Sequence, residues 1–124
     1  MSIPRNIFKI GPLPHDWLFP RVVAAVHHGG AGTTGATLRA GIPSVVVPYF
    51  VDQPFWARKL EVLGVAPPPI PRPELTAQRL GDAISQTVKD QDMKDRAAAL
   101  GEKVRRENGV QKAVDVIEQH MRYR

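Results

Sequence analysis

The chain contains no cysteine, which excludes disulfides, thiolate nucleophiles and thiolate metal sites. Aromatic residues make up only 6% of the 124 positions, and no apolar run approaches the roughly 20 residues of a membrane-spanning helix. No charged-then-apolar leader opens the sequence, so with cysteine absent the expected location is cytoplasmic. Acidic residues are scarce in the first half. Residues 1–60 hold Asp16 and Asp52 against Arg5, Lys9, Arg21, Arg39, Arg58 and Lys59. No His, Asp or Glu grouping has metal-ligand spacing. Neither a Gly-x-Ser-x-Gly elbow nor a Walker pattern is present, which removes the hydrolase and NTPase readings. The net charge of +5 points to an anionic partner. In the second half, however, bases alternate with acids, as in Lys94-Asp95-Arg96 and Glu102-Lys103. That is the pattern of a solvated helix face rather than of a nucleic-acid surface.

What is present is a sharp local signal. The apolar run Val22-Val23-Ala24-Ala25-Val26 ends in His27-His28-Gly29-Gly30-Ala31-Gly32-Thr33-Thr34. A β-branched run breaking into glycines and then a helix-compatible segment is the layout of a strand feeding an anion-binding turn. Glycine lets backbone amides approach a phosphate, and a helix N-terminus adds unpaired N–H groups and a positive dipole end. His28 reads as a ligand-contacting donor or, alternatively, as a cap of the glycine turn, and His27, on the opposite side of the strand, as a structural residue.

The rest of the chain surrounds this turn with alternating elements. Met1–Pro4 reads as a tail and Ile7–Ile10 as a short strand closed by Gly11-Pro12-Leu13-Pro14. His15–Phe19 suits one helical turn, with Asp16 at its start as a capping residue. Val22–His27 reads as a strand buried on both faces. Thr33–Ala40 reads as a helix stopped by Gly41 and Pro43. Ser44–Val47 is a second buried strand, Gln53–Leu63 a helix ending at Gly64, and Val65-Ala66 a last short strand. Three amphipathic faces follow the proline-rich segment. They are Ala77, Leu80, Ile84 and Val88; then Met93, Ala97, Leu100 and Val104; then Val110, Val114, Ile117 and Met121. Asp92 is the expected cap of the second helix, and Asn108-Gly109 the break before the third. Trp17, Phe19, Phe50, Phe55 and Trp56 are read mainly as core, with Phe50 and Trp56 as candidates for lining a ligand. The fold class is therefore α/β, a Rossmann-like parallel sheet flanked by helices, with an all-helical C-terminal tail. Residues 1–66 form the α/β part, 67–73 the connector and 74–124 the helices. Ligands of such sheets sit at the strands' carboxyl ends, where the His27–Thr34 turn and the Pro48–Gln53 loop both fall.

Four motifs in order, Pro14-His15-Asp16-Trp17-Leu18-Phe19, His27 to Thr34, Leu38-Arg39-Ala40-Gly41-Ile42-Pro43 and Pro48-Tyr49-Phe50-Val51-Asp52-Gln53, resemble a known signature. It is the donor-binding signature of GT-B nucleotide-sugar glycosyltransferases, in the sterol 3-β-glucosyltransferase and antibiotic glycosyltransferase branch. Nearly the whole chain shares the likeness. The resemblance implies that His28, Gly30, Gly32, Thr33 and Thr34 contact the donor diphosphate. It implies that Asp52 and Gln53 hydrogen-bond the transferred sugar, and that Gly11, Pro12 and Leu13 lie by the nucleobase. UDP-glucose is the implied donor, with no cofactor or metal. Ile10 and Ala36 replace a base-stacking Trp and a ribose-binding Glu of many relatives, so nucleoside recognition rests on other contacts.

The resemblance also implies what this stretch does not contain. The catalytic base and acceptor pocket belong to a separate N-terminal domain, so no catalytic residue is assigned and the chain corresponds to part of a donor domain. It should bind nucleotide sugar weakly and not transfer it unaided. Its partners would be a UDP-sugar and the acceptor domain, in the same or another polypeptide. A sheet edge left bare would invite self-association, and any attachment to membranes would come from regions outside the chain. The competing readings are a non-catalytic nucleotide-sugar-binding subunit and an oligomerising fragment.

Overall fold

The computed structural model of the protein describes residues 2–122. A single helical turn, α1 (His15–Leu18), runs into a 3-10 turn at Phe19–Arg21. Beyond it, β1 (Ala25–His27) and β2 (Ser44–Val46) pair in parallel, with Ala25 opposite Ser44 and His27 opposite Val46. Parallel pairing requires a crossover, and α2 (Ala31–Ala40) supplies it. α3 (Gln53–Val62) follows, then α4 (Ala77–Lys89), α5 (Gln91–Arg106) and α6 (Gly109–Arg122).

β2 is fully buried, as its uninterrupted Ser-Val-Val run predicts. Its far edge is met by the Val65–Ile70 stretch: the Ser44 amide donates to the Val65 carbonyl (3.0 Å) and the Ile70 amide to the Val46 carbonyl (3.0 Å). Pro67, Pro68 and Pro69 between them have no N–H to continue a ladder, so the expected strand at Val65-Ala66 is reduced to this pairing. The core gathers below: Val46, Ala57, Leu60, Val65, Ala66 and Ala97, with Leu38 and Leu100 against them. Leu60 is wholly enclosed, a burial worth about 2 kcal/mol. Ala97 and Leu100 belong to α5, so the helical part completes the core of the α/β part.

Two strand expectations are corrected. Ile7–Ile10 forms no strand, and Phe8 is 88% exposed. A lone extended segment has no ladder to satisfy its amides, and none of the described residues lies alongside to provide one. The second strand starts at Ala25 rather than Val22 because the 3-10 turn at Phe19–Arg21 and the bend at Val22-Val23 occupy its first residues. Nor is β1 covered on both faces: Val26 is 49% exposed. Among the described residues, only β2 pairs with β1.

The helix ends follow local chemistry. α2 stops where Gly41 turns left-handed (φ +72°), its amide bonding the Thr37 and Leu38 carbonyls. Gly101 of α5 seats directly on this cap, and Arg105 donates to the Arg39 carbonyl (2.6 Å) beside it. Thr76 caps α4 by accepting from the Arg79 amide (3.1 Å). α5 is capped by Asp90, which accepts from the Met93 amide (3.0 Å), and not by Asp92. Asp92 lies inside the first turn, where its charge complements the dipole. Likewise α1 starts at Pro14 without a side-chain cap, so Asp16 does not play the capping role. The apolar stripe of α6 is also corrected: Val110, Val114, Ile117 and Met121 are exposed, and none of the helix's described residues is buried. Of the aromatics read as core, only Phe19 is buried; Trp17, Phe50 and Phe55 are exposed.

Candidate functional site

The turn between β1 and α2 is built around two histidines with different tasks. α2 begins after Gly30 with no side-chain cap, and its hydrogen-bond ladder starts at Thr34, whose amide donates to the Gly30 carbonyl (2.9 Å). The amides of Ala31, Gly32 and Thr33 precede that ladder and are the free donors of the helix N-terminus. The Gly30 amide donates to His28 Nδ1 (2.9 Å), so it is occupied by the histidine rather than by a ligand. With Nδ1 accepting, a neutral His28 ring carries its proton on Nε2, on the far side of the ring. Gly30 leaves room for this arrangement, because a Cβ there would lie 2.6 Å from His28 Cε1. Thr34 is only 2% exposed; its amide is used by the helix, and its buried hydroxyl has no hydrogen-bond partner among the described residues. Gly32 and Thr33 remain at the helix start.

His27 serves the fold. Its Nδ1 accepts from the Gly29 amide (3.0 Å), which leaves Nε2–H for the buried Ser44 hydroxyl (3.0 Å) on β2. Burial, helped by the neighbouring His28 and His15, lowers its pKa from 6.5 to about 4. The unfolded chain therefore takes up a proton below about pH 6.5 that the folded chain refuses until about pH 4. Stability should be fully present above pH 6.5 and fall by about 2 kcal/mol between there and pH 4. Urea denaturation across that range checks this, and His27→Gln should flatten the slope.

The second cluster sits at the start of α3. Gln53 turns its side-chain oxygen back to accept from the Tyr49 (2.8 Å) and Phe50 (3.2 Å) amides, leaving its NH2 group as a donor. Asp52 occupies the cap position of α3 but has helical dihedrals and makes no capping bond. One of its carboxylate oxygens accepts from the Trp56 indole (2.9 Å). Val51, immediately before it, is held at φ +59°, a strained conformation for a β-branched residue that costs on the order of 1–3 kcal/mol. Asp52 keeps one carboxylate oxygen and Gln53 its amide NH2 for outside partners, an acceptor and a donor of the kind sugar hydroxyls require.

Gly29 joins the two clusters. It is left-handed (φ +88°), and a Cβ on it would lie 3.0 Å from both the Gln53 carbonyl oxygen and Val46 Cγ1. Thus the structure brings the His28–Thr33 turn and the Asp52-Gln53 loop together at the carboxyl ends of β1 and β2. Pro12, Leu13, His28 and Thr33 line one open cleft of about 650 Å³, with Ile10 and Val26 forming apolar wall. Gly11 lies in the same segment, between Ile10 and Pro12. The role of Trp56 as a partner of Asp52 was not read from sequence, although the four-residue spacing carries that signal.

A family described as "Erythromycin biosynthesis protein CIII-like, C-terminal domain" matches residues 1–119. Among curated relatives, the sterol 3-β-glucosyltransferase of Saccharomyces cerevisiae (strain YJM789) is 48% identical over 99% of this chain, which spans 10% of that protein. The sterol 3-β-glucosyltransferase of Arabidopsis thaliana is 44% identical over 93% of this chain and 18% of its own length. Among solved structures, the glycotransferase of kitacinnamycin superposes with a TM-score of 0.86 at 29% identity, covering 96% of this chain and 30% of that one. Glycosyltransferase VinC, in complex with DTDP, gives a TM-score of 0.85 at 25% identity, with 95% and 30% covered. The chain spans about a tenth of the yeast relative and under a third of these solved neighbours. With its α/β architecture and its site at the strand ends, the chain belongs to the erythromycin biosynthesis protein CIII-like C-terminal domain family of GT-B glycosyltransferases.

Proposed function

We propose that the chain is the donor-binding part of an inverting, UDP-glucose-dependent glucosyltransferase acting on a sterol or similar lipophilic acceptor. The observation that carries this is the junction at Gly29, which places an uncapped helix start against the loop that carries Asp52 and Gln53. The diphosphate would sit on the Ala31, Gly32 and Thr33 amides and the Nε2–H of His28. The glucose would reach Asp52 and Gln53, and the base would lie along Ile10 to Leu13. That a neighbour of this fold is seen with DTDP supports a nucleoside diphosphate in the cleft.

During transfer the acceptor oxygen bonds to the anomeric carbon as the bond to the diphosphate breaks. The acceptor proton passes to a base supplied outside this chain. Negative charge grows on the departing diphosphate, where the helix start and His28 are already aimed, so these residues stabilise the transition state without calling on a metal. The half-exposed Val26 on the open edge of β1 suits completion by further strands of the same polypeptide. A separate subunit would present the same edge, which keeps a non-catalytic nucleotide-sugar-binding subunit as the second reading. We place the protein in the cytoplasm, in keeping with its lack of cysteine.

Grafting residues 1–119 in place of the matching segment of the yeast relative tests the reading. The chimera should form steryl glucoside from UDP-glucose, and the isolated chain should not. His28→Ala should weaken UDP binding by about 1–3 kcal/mol, the usual loss for a charge-assisted contact. A folded chimera without activity, or a His28→Ala chain with unchanged UDP affinity, would contradict it.

A further inference from the structure

We propose that Trp56 is a positioning residue that sets the carboxylate of Asp52 for the donor sugar; this rests on the donor-binding reading above. At a helix cap, an aspartate ordinarily turns inward and accepts from the first-turn amides. Asp52 does not. Its backbone is helical (φ −88°, ψ −6°), which is wrong for capping, and its side chain bonds none of those amides. Instead Trp56, one turn along α3, donates its indole N–H to one carboxylate oxygen at 2.9 Å.

Three constraints make this contact a fixture. The indole packs edge-on against Phe55, ring centres 5.0 Å apart, which limits its rotation. Gln53 pins the preceding loop through the Tyr49 and Phe50 amides. Val51 holds the strained left-handed turn that presents Asp52. With one oxygen held by the indole, the other carboxylate oxygen is left as an acceptor for an outside donor. A donor N–H on a rigid ring thus decides which oxygen, and which direction, the sugar hydroxyls meet.

The test compares UDP with UDP-glucose, because only the sugar reaches Asp52. In the 124-residue chain, Trp56→Phe keeps the aromatic packing and removes only the indole donor. UDP affinity should stay within about twofold, while the ratio of UDP-glucose to UDP affinity should fall roughly five- to tenfold. Asp52→Ala should give the same fall, and adding Trp56→Phe to it should change nothing further. The Trp56 indole N–H resonance should also shift in Asp52→Ala, where its acceptor is gone. A Trp56→Phe chain that loses UDP and UDP-glucose equally, keeps the ratio, or adds fully to Asp52→Ala overturns the positioning role alone. A wild-type chain that does not bind UDP overturns the donor reading, and the role of Trp56 with it.

Discussion

Gly101→Ala should destabilise the protein by about 2–4 kcal/mol and broaden the packing of α5 on α2. A Cβ at this position would lie 2.6 Å from the Gly41 Cα and 2.9 Å from the Gly41 nitrogen. Both are backbone atoms, so no rotamer change relieves the clash. Gly41 cannot retreat easily either, because its left-handed cap bonds two carbonyls of α2. The helix must therefore tilt, taking with it Ala97 and Leu100 from the core and the Arg105 bond to the Arg39 carbonyl. Chemical denaturation measures the loss, and Gly101→Ser should be at least as damaging. A stability change within about 0.5 kcal/mol would mean that α5 does not sit on the α2 cap.

Gly29→Ala should be the most damaging change to the site itself. The left-handed backbone at φ +88° disfavours any side chain, at a cost of about 1–2 kcal/mol before contacts are counted. The added methyl would press at 3.0 Å on the Gln53 carbonyl and on Val46, the buried residue opposite His27. Relief requires the turn and the Asp52-Gln53 loop to move apart. Stability should drop by about 2 kcal/mol, and UDP-glucose affinity should fall more than UDP affinity. A double comparison by calorimetry and denaturation separates the two effects. Loss of stability with an unchanged UDP-glucose to UDP ratio would show that the two clusters do not act on one ligand.

How far these features could be read from the sequence depended on whether they were local. The α2 stop at Gly41, the buried β2, the helix from Gln53 and the three later helices follow from periodicity and punctuation within a few residues. The pairing of the two motif clusters also followed, because both end strands of one parallel pair. What failed depended on neighbours. Ile7–Ile10 has strand composition, but nothing among the described residues pairs with it, and composition cannot report that. The α6 stripe has the right period for packing and lies open for the same reason. Thr34 reads as a phosphate contact in the motif; its amide closes the first turn of α2 one residue beyond the free amides, and its hydroxyl is buried without a partner among the described residues. The bond from Trp56 to Asp52 has its signal in the four-residue spacing, but an aspartate before a helix is ordinarily read as its cap.

The most direct test of the central claim is an amide chemical-shift titration of the chain with UDP. Saturable shifts should centre on His28, Ala31, Gly32 and Thr33, with the Asp52 and Gln53 amides joining only when UDP-glucose replaces UDP, and His28→Ala should suppress them. A well-dispersed spectrum that does not respond to millimolar UDP, or that responds away from the β1–α2 turn, would contradict the claim that this turn holds the donor diphosphate.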